Sequence, residues 1–205
     1  MEYTAQRELL CALGRRMWQR GLVAANDGNL SIRLEGDRFL VTPSGVSKGF
    51  LQPGMLLLVD GSGNLLGRSV YQPTSELRMH LFCYRKRPDV NGVVHAHPPA
   101  ATAFACARRP IDRPILEELH LTLGGGVPVA PYGRAGTEEI PRAIEPLLPG
   151  CNALLLSNHG ALTLGGDLLT AYYRMESLEH TAKIQLNVLQ LGGGVPIGGT
   201  GAPGQ

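Results

Sequence analysis

The chain has 205 residues, of which 43% are hydrophobic and 18% charged, and both values are typical of one globular domain in solution. Its formal net charge of +2 is too small to favour nucleic acid or an anionic membrane as a partner. The absence of a signal-peptide pattern and of a long apolar run predicts a cytoplasmic protein that does not cross a membrane. The four cysteines form no CxxC pair and are expected to be free thiols: Cys11, Cys83, Cys106 and Cys151.

Hydrophobic spacing and capping residues predict a succession of helices and strands. In chain order these are a helix from 9 to Gly21, a hairpin of strands 30–34 and 39–41, a strand at 55–59, a helix that Thr74 or Ser75 caps and that ends before Pro88, a strand at 90–97, a helix at 100–107, an edge strand at 127–129, a helix at 137–148, strands 153–156 and 161–164, and a long helix at 167–191. The order does not alternate regularly, so we expect a mixed α/β sandwich with a largely antiparallel sheet. Residues 1–191 are predicted to form a single domain, and the Gly-rich segment 192–205 a flexible tail.

The motif His95-Ala96-His97 stands at the end of a predicted strand. Residues two apart in a strand point to the same face, so both imidazoles are expected to project together. Histidine is the commonest neutral ligand of zinc and related ions in proteins. An isolated HxH also occurs by chance, and alone it is weak evidence for a metal site.

His159 strengthens this interpretation because it follows another apolar strand and precedes a flexible glycine. Three histidines with one open position are typical of a catalytic rather than a structural metal site. The alternative is that His159 only supports a turn. His80 lies on the apolar face of its predicted helix, which favours a packed or supporting role, whereas His120 and His180 have no motif around them.

Glu76 lies close to a predicted helix start, directly after Thr74 and Ser75. It could cap the helix, or it could stand near a metal as a ligand or as a proton acceptor. The hydroxyls of Thr74 and Ser75, with the helix N–H groups, suit a phosphate. Two further loops of small polar residues, 28–31 and 42–45, could complete a phosphate cradle, although each alone would be interpreted as an ordinary turn.

Taken together and in this order, five motifs resemble the class II aldolase/adducin family, and most closely its fuculose-phosphate-aldolase-like branch. The motifs are Asn26-Asp27-Gly28-Asn29-Leu30-Ser31, Thr42-Pro43-Ser44-Gly45, Thr74-Ser75-Glu76, His95-Ala96-His97 and Asn158-His159-Gly160. The resemblance extends from the first helix through the long last helix.

This resemblance implies a three-layer α/β/α sandwich around a mainly antiparallel central sheet, assembled as a homotetramer with active sites at subunit boundaries. It implies Zn²⁺, or another divalent ion such as Mn²⁺, Co²⁺ or Fe²⁺, bound by His95, His97 and His159, with Glu76 beside the metal as ligand and acid/base. It also implies that the substrate phosphate is bound by Asn29, Ser44, Gly45, Thr74 and Ser75. Adducin-like members lose the metal residues, and their presence here favours an enzyme.

One departure concerns the second acid/base group. Where the fuculose enzyme carries a functional tyrosine, this chain reads Leu116-Glu117-Glu118-Leu119-His120, and its C-terminal tail contains no tyrosine. Glu118, or Glu117 if the register is shifted, is the candidate replacement. The alternative is a pair of carboxylates that only faces solvent.

The leading functional prediction is a metal-dependent aldolase. It would cleave a ketose 1-phosphate, such as fuculose 1-phosphate or a deoxy- or methylthio-ribulose 1-phosphate, to dihydroxyacetone phosphate and an aldehyde. The alternatives are a dehydratase, a 4-epimerase or a decarboxylase that acts on a related sugar phosphate. A non-catalytic, adducin-like module is the third possibility.

Overall fold

The structure is a computed structural model of the chain, and it describes residues 2–198. Within them, seven strands form one sheet: β1 (Asn29–Arg33), β2 (Arg38–Val41), β3 (Leu57–Asp60), β4 (Gly92–Ala96), β5 (Val129–Ala130), β6 (Ala153–Leu156) and β7 (Gly160–Gly165). Their order across the sheet is β3-β2-β1-β4-β7-β6-β5. All neighbouring pairs are antiparallel except β5 and β6, which are parallel at one edge.

Helices cover both faces of this sheet. They are α1 (Thr4–Gln19), α2 (Leu77–Lys86), α3 (Pro99–Ala107), α4 (Glu117–Leu123), α5 (Glu139–Ile144) and α6 (Leu168–Gln190). Helices α1, α3, α4 and α6 pack on the face that carries Val94 and Ala96, whereas α2 and α5 pack on the face that carries Val93 and Leu162. The prediction of a three-layer α/β/α sandwich with a mainly antiparallel sheet is therefore confirmed.

The strand register brings the start of β1, the end of β4 and the start of β7 together at one end of the central strands. Asn29, the first residue of β1, pairs with His95 near the end of β4. Ala96 pairs with Ala161 at the start of β7. Polar residues that flank these strands therefore meet at one place, above the carboxyl end of β4.

Some predicted boundaries were wrong. The helix predicted at 137–148 ends at Ile144, because Pro146 has no backbone N–H with which to continue the helical hydrogen bonds. The N-cap position of helix α2 is occupied by Glu76 instead of Thr74 or Ser75, and the sequence did not predict α4. Of the predicted tail, residues 192–198 include an Ile197 N–H that donates to the Pro114 carbonyl, and residues 199–205 lie outside the described part of the chain.

The four thiols are unpaired: Cys11, Cys83, Cys106 and Cys151. Across residues 2–198, no helix combines the length and the apolar character needed to span a bilayer.

Candidate active site

His95 and His97 come together as the strand geometry predicts. His95 is fully buried in β4 and His97 stands just beyond the end of the strand. Their ring centroids are 4.9 Å apart, and their Nε2 atoms are 3.1 Å apart. Two side chains with ring nitrogens that face each other so closely need a shared proton or a shared cation between them.

The turn between β6 and β7 brings His159 to the same place. Asn158 takes a left-handed backbone conformation, with φ of 56°, which asparagine tolerates better than most residues. The His159 ring lies 4.7 Å from that of His95 and 5.0 Å from that of His97. One ligand atom from each of the three histidines lies within 4.8 Å of the others, so the group could hold a metal ion.

Gly160 permits this close approach. A Cβ atom at this position would lie 2.5 Å from the Ala96 carbonyl oxygen and 2.6 Å from Cδ2 of His97. Any larger residue would therefore force apart the two segments that carry the histidines.

Glu76 faces the histidine cluster. Its Oε2 is 2.9 Å from Nε2 of His95, and its Oε1 is 3.4 Å from Nε2 of His159. Glu76 precedes the first turn of α2, and its side chain makes no capping hydrogen bond. The capping interpretation of this residue is therefore wrong, because its carboxylate is turned into the site.

The charges in this cluster are strongly coupled. Burial by itself would raise the pKa of Glu76, but nearby His95 and His159 and the hydrogen bond from Asn29 hold it well below its usual range. Burial also opposes a charge on His95, and Glu76 nevertheless raises the pKa of its imidazole. Burial, assisted by His95, lowers the pKa of His159 to about 4. The site therefore keeps an ionised carboxylate at neutral pH.

The unpaired atoms of the cluster fit a divalent metal. Nδ1 of His95 lies 2.8 Å from the Ala161 carbonyl oxygen and must donate to it, so Nε2 is the nitrogen directed at the cluster. Among the described residues, the buried Oε1 of Glu76 and Nδ1 of His159 have no hydrogen-bond partner. Three imidazoles and a carboxylate form a donor set of the kind found in catalytic zinc sites.

A cavity of about 230 Å³ opens beside the cluster. Thr74 N–H donates to the Thr42 carbonyl at 3.1 Å and Ser44 N–H donates to the Gln72 carbonyl at 2.8 Å, which joins two of its loops. Its wall contains all five residues predicted to bind phosphate, together with Glu76 and two of the histidines: Asn29, Ser44, Gly45, Thr74, Ser75, Glu76, His97 and His159. His95 lies beneath them.

The cavity wall also contains Asp27 and Lys48, to which the sequence assigned no role. Asp27 Oδ2 lies 3.5 Å from Nδ1 of His97. Lys48 Nζ donates to the carbonyls of Asn26 and Val46, at 3.1 and 2.5 Å, and burial lowers the pKa of Lys48 to about 8. The position of Asp27 inside the first motif was its only signal, and a lysine just after a phosphate-type loop carries little information by itself.

The structure does not bring the predicted second acid/base into this cavity. Glu117 and Glu118 are exposed in the first turn of α4, and neither lines the cavity of its own chain. His80, by contrast, is fully buried on α2 beside Asn29 and Ser31, which agrees with the supporting role favoured for it.

Comparisons with known proteins agree with this geometry. Residues 8–186 match the family described as Class II Aldolase and Adducin N-terminal domain. A 3-oxo-tetronate 4-phosphate decarboxylase of Haemophilus influenzae is 38% identical over 88% of this chain and 86% of its own length. A 5-methylthioribulose-1-phosphate/5-deoxyribulose-1-phosphate aldolase of Rhodospirillum rubrum is 34% identical over 91% of this chain and 83% of its own length. The solved structure of an L-fuculose 1-phosphate aldolase superposes with a TM-score of 0.88 and 31% identity, and covers 96% of this chain and 92% of its own.

The chain belongs to the class II aldolase/adducin family. The relatives it matches carry the names of aldolases and decarboxylases, which are lyases, and the expectation of an enzyme instead of a non-catalytic module is confirmed. The comparisons also support a role in sugar-phosphate metabolism.

Proposed function

We propose that the protein is a decarboxylase that acts on a phosphorylated 3-oxo sugar acid of the 3-oxo-tetronate 4-phosphate type. In this proposal His95, His97, His159 and Glu76 hold a divalent metal, zinc in the first instance. The loops that carry Asn29, Ser44, Gly45, Thr74 and Ser75 bind the phosphate of the substrate.

The observation that carries the proposal is the content of the cavity. The imidazoles of His97 and His159 and the Glu76 carboxylate form one wall, with His95 beneath them, and small hydroxyl and backbone N–H groups form another. A substrate that carries both a ketone and a phosphate satisfies both walls at once. The family relative with 38% identity carries the name of such a decarboxylase.

A divalent metal in this site would supply Lewis acidity that polarises the ketone of the substrate. The bond between the carboxylate carbon and its neighbour then breaks, carbon dioxide leaves, and the electron pair stays on the carbon beside the ketone. That carbon takes up a proton, and dihydroxyacetone phosphate results. Glu76 is the group placed to pass this proton, since its Oε1 has no hydrogen-bond partner in the described residues.

Aldol cleavage is the second candidate, and it would leave the electron pair on an equivalent carbon. It differs in the fragment that leaves, which is an aldehyde. The aldehyde forms only if a base removes the proton from the hydroxyl group that becomes the aldehyde oxygen. Within the described part of the chain, the cavity offers Glu76 and the His97-paired Asp27 but no further carboxylate or tyrosine. Decarboxylation needs no such base, which favours it here.

The 34% identity to a methylthioribulose-phosphate aldolase is the observation that keeps aldol cleavage in consideration. In that case Glu118, or Glu117, would act as the second acid/base from a neighbouring subunit. We also propose, as the sequence predicted, a homotetramer with active sites at subunit boundaries. We propose a cytoplasmic location as well, for which the four unpaired cysteines are the supporting observation.

The test is a substrate screen with the products identified by chromatography and mass. The zinc-loaded protein is incubated with 3-oxo-tetronate 4-phosphate, fuculose 1-phosphate, and 5-deoxy- and 5-methylthio-ribulose 1-phosphates. We expect carbon dioxide and dihydroxyacetone phosphate from the first substrate. Release of an aldehyde from a ketose 1-phosphate would establish the aldolase instead, loss of water a dehydratase, and an isomer of unchanged mass an epimerase.

A further inference from the structure

A continuous chain of buried polar side chains runs along the interface between helix α2 and strand β1 to Glu76. The Tyr84 hydroxyl lies 2.8 Å from Ser31 Oγ, and Ser31 Oγ lies 2.6 Å from Nδ1 of His80. Nε2 of His80 is 2.5 Å from Oδ1 of Asn29, and Nδ2 of Asn29 donates to Oε2 of Glu76 at 3.0 Å. All five side chains are buried.

The Glu76 end fixes the direction of these hydrogen bonds. An ionised carboxylate only accepts, so the amide nitrogen of Asn29 must face Glu76. The amide oxygen of Asn29 then faces His80. Since that oxygen also only accepts, Nε2 of His80 must carry a proton.

The other nitrogen of His80 is then the acceptor. Burial lowers the pKa of His80 to about 3, so the imidazole is neutral and carries a single proton. Its Nδ1 must accept from the Ser31 hydroxyl, and Ser31 in turn accepts from Tyr84. Each donor is therefore assigned, and each proton points toward the carboxylate.

We propose that His80 is a positioning residue, which as the neutral Nε2–H tautomer locks the amide of Asn29 and so holds Oε2 of Glu76 in place. The carboxylate then presents its other oxygen, Oε1, to the substrate. The effect on catalysis rests on the proposed function of Glu76. The assignment of the His80 tautomer does not depend on that function.

The carboxamide of Asn29 shows why such a lock is needed. A flip of this group by 180° barely changes its shape, but would place an oxygen against the Glu76 carboxylate. On the side of the carboxamide that faces away from Glu76, only the proton on Nε2 of His80 distinguishes the two orientations. An apolar residue in place of His80 would fill the space and lose this selection, while leaving the Asn29 oxygen buried without a partner.

Nitrogen-15 NMR of histidine-labelled, metal-free protein at pH 7 tests the tautomer without any substrate. We expect His80 to show a protonated Nε2 and an unprotonated Nδ1. Ser31→Ala removes the donor to Nδ1 and should weaken the preference for the Nε2–H tautomer, which the contact with Asn29 still favours, whereas Tyr84→Phe should leave the tautomer unchanged. A protonated Nδ1 in the wild-type protein would overturn the proposal.

Kinetics test the positioning role on the substrate that the screen identifies. We expect His80→Leu to lower kcat by about 10- to 100-fold, with KM changed by less than about 3-fold, as for other residues that orient a metal-site group. His80→Gln, which can keep a donor to Asn29, should recover most of kcat. If His80→Leu does not fold, Ser31→Ala serves in its place and should lower kcat severalfold.

Wild-type kcat in both His80→Leu and Ser31→Ala would overturn the positioning role. An equal loss in His80→Gln and His80→Leu would likewise show that His80 only packs the core. If no substrate is turned over, the proposed function fails while the NMR measurement still decides the tautomer.

Discussion

At the scale of single residues, the two oxygens of Glu76 have different surroundings. Oε2 accepts from Asn29 and faces His95, whereas Oε1 faces His159 and is buried without a hydrogen-bond partner in the described residues. A buried acceptor that is left unpaired costs free energy. Oε1 is therefore the atom at which we expect a metal, a proton or a substrate to bind.

Replacement of this carboxylate tests its role as acid/base. We expect Glu76→Gln to lower kcat by about 100-fold or more, because general acid–base catalysis contributes on the order of 10²- to 10⁴-fold. Metal content should be measured beside kcat, so that loss of the ion is separated from loss of proton transfer. Full activity in this variant would show that the acid/base assignment is wrong.

Glu118→Gln separates the two candidate reactions. Glu118 is exposed and does not line the cavity of its own chain, so a decarboxylase should keep its activity within about 3-fold, since carbon dioxide leaves without a base. A loss comparable to that of Glu76→Gln would support the second acid/base predicted from the sequence, and with it aldol cleavage.

Gly160 shows how one small residue makes the histidine cluster possible. A methyl group there would meet the Ala96 carbonyl oxygen at 2.5 Å, so we expect Gly160→Ala to lower the free energy of unfolding by about 1–3 kcal/mol, the usual cost of overpacking. Metal affinity should fall as well. Gly150→Ala, at a position with no neighbouring atom within 4 Å, is the control in denaturant titrations and should be close to wild type.

At the scale of elements, the site is a meeting of strand ends with the start of a helix. Strands β4 and β7 place the histidines, β1 places Asn29, and the segment before α2 places Glu76. Helix α2 is held against β1 by His80 and Tyr84, which both contact Ser31. The packing of α2 on the sheet and the orientation of the carboxylate are thus one structural feature.

This packing should make the protein sensitive to acid. The pKa of His80 is about 3 in the folded protein against an ordinary 6.5, so the unfolded chain binds a proton first as the pH falls. The stabilisation is present above pH 6.5 and is lost as the pH falls toward 3, at up to about 1.4 kcal/mol per pH unit.

Denaturant titrations of metal-free protein across this pH window measure the effect. His80→Leu should show a shallower dependence of the unfolding free energy on pH than wild type. His120→Gln, which changes an exposed histidine on α4, is the matched control and should retain the wild-type slope. An unchanged slope in His80→Leu would contradict the expectation.

At the scale of the whole molecule, a bound metal would connect segments far apart in the chain. Glu76, His95 and His159 are far apart in sequence, yet Nε2 of each histidine lies within 3.4 Å of a carboxylate oxygen of Glu76. An ion that binds the folded chain and not the unfolded one stabilises the folded state by mass action. Metal binding is therefore expected to be part of the stability of the domain.

Calorimetry of metal-free and zinc-loaded protein tests this expectation. We expect zinc to raise Tm by several degrees, since a ligand at about 100 times its Kd contributes about 2.7 kcal/mol. His97→Ala removes a ligand that is only partly buried and should abolish most of the shift. A Tm that does not respond to zinc, manganese, cobalt or iron would contradict the proposed metal site.

The sequence by itself determined the succession of elements, the family and the residues that converge. The two-residue spacing of His95 and His97, the glycine after His159 and the polar loops all follow from local chemistry, which a linear pattern records. The apolar pattern did not indicate the end of α5, because apolar residues continue beyond Pro146 to Leu148. Helix α4 was not predicted because its pattern is too short to be recognised.

Only the tertiary structure decided how the side chains are paired. It turned Glu76 away from the helix and toward His95, left Glu118 outside the cavity, and brought Lys48 and Asp27 into its wall. It also joined His80 to Asn29 across helix and sheet. The physical reason is that such hydrogen bonds and pKa shifts depend on distances between residues remote in sequence, which no local spacing encodes.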